Sequence, residues 1–229
     1  MIEIKKLSIT KRVKDYCIEY TSCIYKSDKK IERSGVNDKK LITNLARARR
    51  EIIDLIRLNL NVGSCLLTLT YRDNVQDYNK AYRDFYKFVM RVKYSYSISL
   101  RYIRVIELQQ RGAIHFHVVI FNPEFVNIPY NDVFDTWGHG AIHIRPIENI
   151  NDVTADKVGN YLGKYLTKSK DIACNKKIYT TSRNIKRIHK ERFVIDNESL
   201  FNLYDEYFEK FADIVIDDGS IYKKYIKSL

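Results

Sequence analysis

His115 and His117 lie inside the apolar run Ala113-Ile-His-Phe-His-Val-Val-Ile-Phe121. That run, with Gly112 before it, reads as a strand. Alternate strand residues share a face, so both imidazoles point one way and Phe116 the other. Two polar rings on a hydrophobic strand are costly unless something uses them. A divalent metal is one user; the other reading is a pair of hydrogen-bonded core histidines. Upstream, Arg101-Tyr-Ile-Arg-Val-Ile-Glu-Leu108 is β-branched and aromatic, hence a second strand. Gln110-Arg111-Gly112 suits a three-residue hairpin loop with Gly112 in the left-handed position. This register sets Glu107 opposite His115. Two histidines and a carboxylate then form a three-ligand site with open positions for water and a phosphate oxygen. A cross-strand ion pair is the alternative for Glu107.

A second group of reactive residues follows in Val158-Gly-Asn-Tyr-Leu-Gly-Lys-Tyr-Leu-Thr-Lys168. On a helix, Ala155, Val158, Leu162 and Leu166 make the apolar stripe. Tyr161, Lys164, Tyr165 and Lys168 share the neighbouring face. A phenol is a weak nucleophile near neutral pH, because its pKa is about 10. A nearby lysine or metal favours phenolate character, and the lysine can bind phosphate. The bland alternative is a helix shoulder of packing tyrosines and solvated lysines.

The elements that position these residues follow from periodicity. Residues 43–59 read as a helix with Arg47, Arg49 and Arg50 near its start. Residues 66–71 read as a strand, 75–93 as an amphipathic helix, 101–121 as the hairpin, 141–147 as a short strand and 152–169 as a helix. The order predicts an α+β fold, an antiparallel sheet with helices packed on one face. Residues 1–40 suggest short strands or an arm, 176–193 an irregular basic stretch, and 198–212 an acidic amphipathic helix. His139 and His143 match no ligand position and are assigned structural roles.

The chain of 229 residues carries a net charge of +12. The positive excess falls in residues 1–60 and 151–192, whereas 193–229 are net acidic. An anionic polymer is the natural partner. The tyrosines and phenylalanines offer stacking faces for unpaired bases. No run approaches a membrane span and no signal-peptide pattern opens the chain, which points to the cytoplasm without membrane contact. The four cysteines show no metal spacing, so reduced thiols are expected.

The motifs resemble those of the HUH endonuclease superfamily, and more closely the two-tyrosine replication initiators of phages and plasmids. Leu66-Leu-Thr-Leu-Thr-Tyr71 is similar to the first family motif. Glu107 with His115-Phe-His117 resembles the metal motif, and Tyr161-Leu-Gly-Lys164-Tyr165 the tyrosine motif. Trp137-Gly-His-Gly140 resembles an intervening signature. The resemblance implies a ferredoxin-like HUH endonuclease core. It also implies Mg²⁺ or Mn²⁺ on Glu107, His115 and His117, with Tyr161 and Tyr165 as nucleophiles and Lys164 between them. A tyrosine would nick single-stranded or hairpin origin DNA, becoming joined to the 5′-phosphate and freeing a 3′-hydroxyl for rolling-circle replication. The second tyrosine would let the ends be cut again and rejoined.

Lys168, Arg111, Arg47, Arg50, Lys186 and Arg187 are the expected DNA contacts. The implied division is a basic extension over 1–42, the nickase domain over 43–170 and a C-terminal extension over 171–229. No phosphate-binding loop is present, so a separate helicase and the replication proteins of a bacterial host are expected partners. Transposases and relaxases of the same superfamily share the chemistry. A non-catalytic nucleic-acid binder is the rival of a different class. A cupin-type metal enzyme fits poorly, since Glu124 lies too far beyond the histidines.

Overall fold

The computed structural model describes residues 6–13, 17–25, 38–168, 179–195, 209–215 and 221–228, with side chains over 44–166 and 179–188. In chain order the elements are β1 (Lys6–Val13), β2 (Cys17–Tyr25), α1 (Asp38–Asn59), β3 (Cys65–Thr70), α2 (Tyr78–Tyr96), β4 (Tyr102–Leu108), β5 (Ile114–Ile120), α3 (Tyr130–Trp137), β6 (Ile142–Pro146), α4 (Asp152–Lys168), β7 (Tyr179–Thr181), β8 (His189–Ile195), β9 (Glu209–Val215) and β10 (Ile221–Ser228). Two compact units result. One comprises Met1–Ser34 with Arg187–Leu229, and the other Gly35–Lys186.

The first unit is an antiparallel sheet in the order β8-β1-β2-β10-β9. It brings together strands from the two ends of the chain. The basic stretch 176–193 is therefore not irregular throughout, since β7 and the start of β8 fall in it. The acidic helix expected over 198–212 is corrected at its end: residues 209–212 belong to β9, whose ladder with β10 takes the backbone groups a helix would use. Residues 198–208 lie outside the described residues.

The second unit has an antiparallel sheet in the order β6-β3-β5-β4-β7. Its β3-α2-β4-β5-α3-β6 segment has the connectivity of a ferredoxin-like sheet, the α+β class expected. The hairpin strand β5 is central. Three residues, Gln110 to Gly112, close the hairpin: the Gln109 amide donates to the Ala113 carbonyl at 2.9 Å, and Gly112 has φ +82. Glu107 stands opposite His115, as the turn length requires.

Helices cover both faces of this sheet, not one. On the first face α2 and α3 pack on Leu67, Leu69, Ile106, Phe116 and Val118 through Ala81, Phe85, Phe88 and Trp137. On the second, α1 and α4 pack on Ile103, Val105, Val119 and Phe121 through Ile52, Ile56, Val158 and Leu162. The reason is in β5, every residue of which is buried. A strand apolar on both sides needs two covering layers.

The α1–α4 layer is seated by two glycines. A Cβ on Gly159 would lie 2.5 Å from Ile53 Cγ1 and 3.1 Å from its Cα, and one on Gly163 would lie 3.0 Å from Arg49 Cγ. Around this close approach Arg57 donates to both carboxylate oxygens of Asp156, at 2.6 and 2.7 Å. Arg49 donates to Asn160 Oδ1 at 2.7 Å. Asn151 caps α4 by accepting the Thr154 amide at 2.8 Å. These contacts fix the rotation of α4 and so the direction of its tyrosines.

Candidate active site

The sheet register builds two rows on the α1–α4 face. Glu107, His115 and Thr70 are direct neighbours across β4, β5 and β3. Val105, His117, Thr68 and His143 form the next row, across β4, β5, β3 and β6. His117 Nε2 is 2.7 Å from Glu107 Oε2, a diagonal contact between the rows. With that nitrogen donating to the carboxylate, Nδ1 carries a lone pair. The hydroxyls of Thr68 and Tyr161 both stand 3.5 Å from Nδ1.

Helix α4 supplies the opposite wall. The Tyr165 ring lies flat on His117, with centroids 3.6 Å apart and planes 7° from parallel. Tyr161 meets His117 edge to face at 5.9 Å and Tyr165 at 5.1 Å. Both phenols predicted as nucleophiles thus face the histidine hairpin. Burial pushes the Tyr165 phenol well above its ordinary pKa, and its hydrogen bond to Tyr161 and the charge of Glu107 add to the effect. The two tyrosines are therefore not equivalent: Tyr165 is packed and protonated, while the hydroxyl of Tyr161 addresses a ring nitrogen.

His115 is 8% exposed and His117 is 5% exposed. His115 Nε2 is buried without a hydrogen-bond partner. Burial holds this imidazole below its ordinary pKa, and His117 and Arg111 push the same way against the pull of Glu107. A neutral, unpartnered imidazole beside another imidazole and a carboxylate suits a divalent cation in donor chemistry. Among the described residues, however, no three His, Cys, Asp or Glu side chains gather closely enough to hold an ion. Glu107 is engaged with His117 instead.

The expected DNA contacts are dispersed. Arg111 sits exposed at the hairpin tip, where its guanidinium donates to the Tyr71 carbonyl at 3.0 Å and to Gln109 Oε1 at 3.1 Å. Arg47 and Arg50 are exposed on α1, Lys164 is exposed on α4, and Lys186 and Arg187 are exposed after β7. The side chain of Lys168 lies outside the described residues. Thr68 joins the site although only its motif was singled out in the sequence; its register opposite His117 explains why.

The structural role assigned to His139 fits its place. It stands edge to face with Trp137 at 4.9 Å, and its Nε2 is 3.8 Å from Asp84. His143 is different: it is exposed on β6, on the side of the sheet that carries His117.

No helix among the described residues is long and apolar enough to cross a membrane. Neither the curated proteins nor the solved structures contain a match to this chain. Residues 64–170, which contain Glu107, His115, His117, Tyr161 and Tyr165, match the family model of the replication-associated protein ORF2, a match consistent with a replication initiator.

Proposed function

We propose that this protein is a replication initiator that nicks and rejoins single-stranded or hairpin origin DNA through a covalent phosphotyrosine. The observation that carries the reading is the approach of Tyr161 and Tyr165 to the His117–Glu107 pair, within a segment similar to replication-associated proteins.

Tyr161 is the first nucleophile in this scheme. Its oxygen bonds to phosphorus as the bond to the 3′ oxygen breaks. The phenolic proton is lost towards His117 Nδ1, and the departing 3′ oxygen takes up a proton to become the priming hydroxyl. Glu107 orients His117 through Nε2 and favours its cationic form once the proton arrives. Tyr165 is held in reserve by its stack on His117. Attack by a 3′-hydroxyl on the phosphotyrosine reverses the step and closes a strand. His115, His117 and Glu107 would hold a divalent cation, Mg²⁺ or Mn²⁺, which supplies charge stabilisation at the scissile phosphate when bound. Lys164, exposed between the phenols, and Arg111 at the hairpin tip bind phosphates by charge. A separate helicase unwinds the duplex.

The test is covalent capture. Origin-strand oligonucleotides are incubated with the full chain and Mn²⁺ and run on a denaturing protein gel. A shifted adduct is expected from wild type, strongly reduced in Tyr161→Phe and lost in Tyr161→Phe/Tyr165→Phe. Tight DNA binding without an adduct would overturn the nickase and favour a non-catalytic binder.

A further inference from the structure

The α1–α4 face of the sheet is covered unevenly. On β5 every residue is buried. On β3 burial alternates, and the half-exposed positions are Leu66, Thr68 and Thr70, those on this face. On the edge strand β6 the positions in register are His143, opposite Thr68, and Arg145, opposite Leu66, and both are exposed. The site thus opens in one direction, from His117 across Thr68 to His143 and Arg145. Two strand spacings separate the His143 and His117 columns, about 10 Å.

The chemistry of this strip is uniform. Neither β3 nor β6 contains a carboxylate. Two hydroxyls, an imidazole and a guanidinium line a half-open surface that ends at the phenols. Hydroxyls and guanidinium bind phosphodiester oxygens, and an exposed imidazole edge or face meets a base or a phosphate. Structural duty does not account for His143, since an exposed ring on an edge strand packs nothing.

We propose that Thr68, Thr70, His143 and Arg145 form the track that holds the single DNA strand a nucleotide or two from the scissile phosphate, with His143 and Arg145 as its anchoring contacts. The inference rests on the nickase reading for the position of that phosphate, and on the register alone for the strip.

The test uses the full chain with Tyr161→Phe/Tyr165→Phe to block cleavage, and a labelled oligothymidylate followed by fluorescence anisotropy over a range of salt. His143→Ala/Arg145→Ala is compared with Arg83→Ala/Lys87→Ala, which removes exposed charge from α2, on the opposite side of the sheet. The track variant is expected to weaken binding about tenfold and to reduce the salt slope by about one. The α2 variant is expected to change affinity by less than about twofold. Equal losses in both would reduce the effect to general charge and overturn the track, as would an unchanged track variant. Failure of oligothymidylate to bind at all would overturn the track and the nickase together. Adduct formation is measured separately with the tyrosines restored. An adduct with normal affinity in the track variant leaves the nickase standing and removes the track. Loss of affinity in a protein whose wild type forms no adduct does the reverse.

Discussion

On one face of β5, Phe116 meets Phe85 at 5.3 Å and Trp137 at 6.0 Å in tilted and edge-on contacts. On the other, His117 lies flat against Tyr165 while His115 Nε2 has no partner. The first face also contains polar groups, but it settles them. Arg104 sits over the rings of Tyr82 and Phe85 at 4.4 and 4.5 Å. Asp84 accepts from Lys80 at 2.6 Å and from Tyr71 at 3.1 Å. Burial works against the Asp84 charge, yet Lys80, His139 and Tyr71 outweigh it and hold the carboxyl below its ordinary pKa. One strand therefore has a side that stores stability and a side that keeps reactive groups incompletely satisfied.

The sharpest way to break this comparison is to truncate each face in turn. Phe116→Ala should cost about 3–5 kcal/mol in denaturant unfolding, through lost burial and a cavity beside Trp137. Tyr165→Phe should cost less than about 1 kcal/mol, because ring and stack remain. Equal costs would make the site face ordinary core.

A smaller effect separates the seat of α4 from its surface. Gly159→Ala forces a methyl against Ile53, side chain and backbone together, and should cost about 1–3 kcal/mol. It should also reduce adduct formation by more than the fold loss explains, since it displaces the helix that carries both phenols. Gly163→Ala meets only the movable Arg49 side chain and should cost less. Thermal melts and capture gels on the pair decide the ranking.

The smallest effect is in pH. Burial holds His115 below its ordinary pKa, and does the same to His139 on the other side. Between the lowered value and the ordinary one near 6.5, the unfolded chain binds more protons, so stability falls as pH falls through that window. His115→Asn and His139→Asn should each flatten part of this slope. Urea midpoints measured above and below about pH 6.5 are the check; an unchanged slope would mean these rings titrate alike in both states.

Much of the site is legible in local spacing. The parity of His115 and His117, the hairpin register of Glu107 and the shared face of Tyr161 and Tyr165 follow from periods of two and of three to four. The ordering of β3, α2, β4, β5 and β6 is legible for the same reason. The second helical layer is not, because β5 is apolar at alternate positions on both sides and no pattern says how many faces a strand will have covered. Helix α3 has eight residues and β7 three, too short for periodicity to declare. The exposure of His143 depends on β6 being an edge, a property of topology. Gly159 and Gly163 look like weak points in a helix until α1 is seen against them.

That seat of α1 on α4 has a mechanical consequence. A strand joined to Tyr161 or Tyr165 and drawn away by an unwinding motor pulls on α4, not on the hairpin. The pull passes sideways into α1 through the glycine contact, the Arg57–Asp156 fork and the Arg49–Asn160 bond. Such a joint resists shear along its length, since the two backbones interlock, and the histidine hairpin stays unloaded while the tether is under tension.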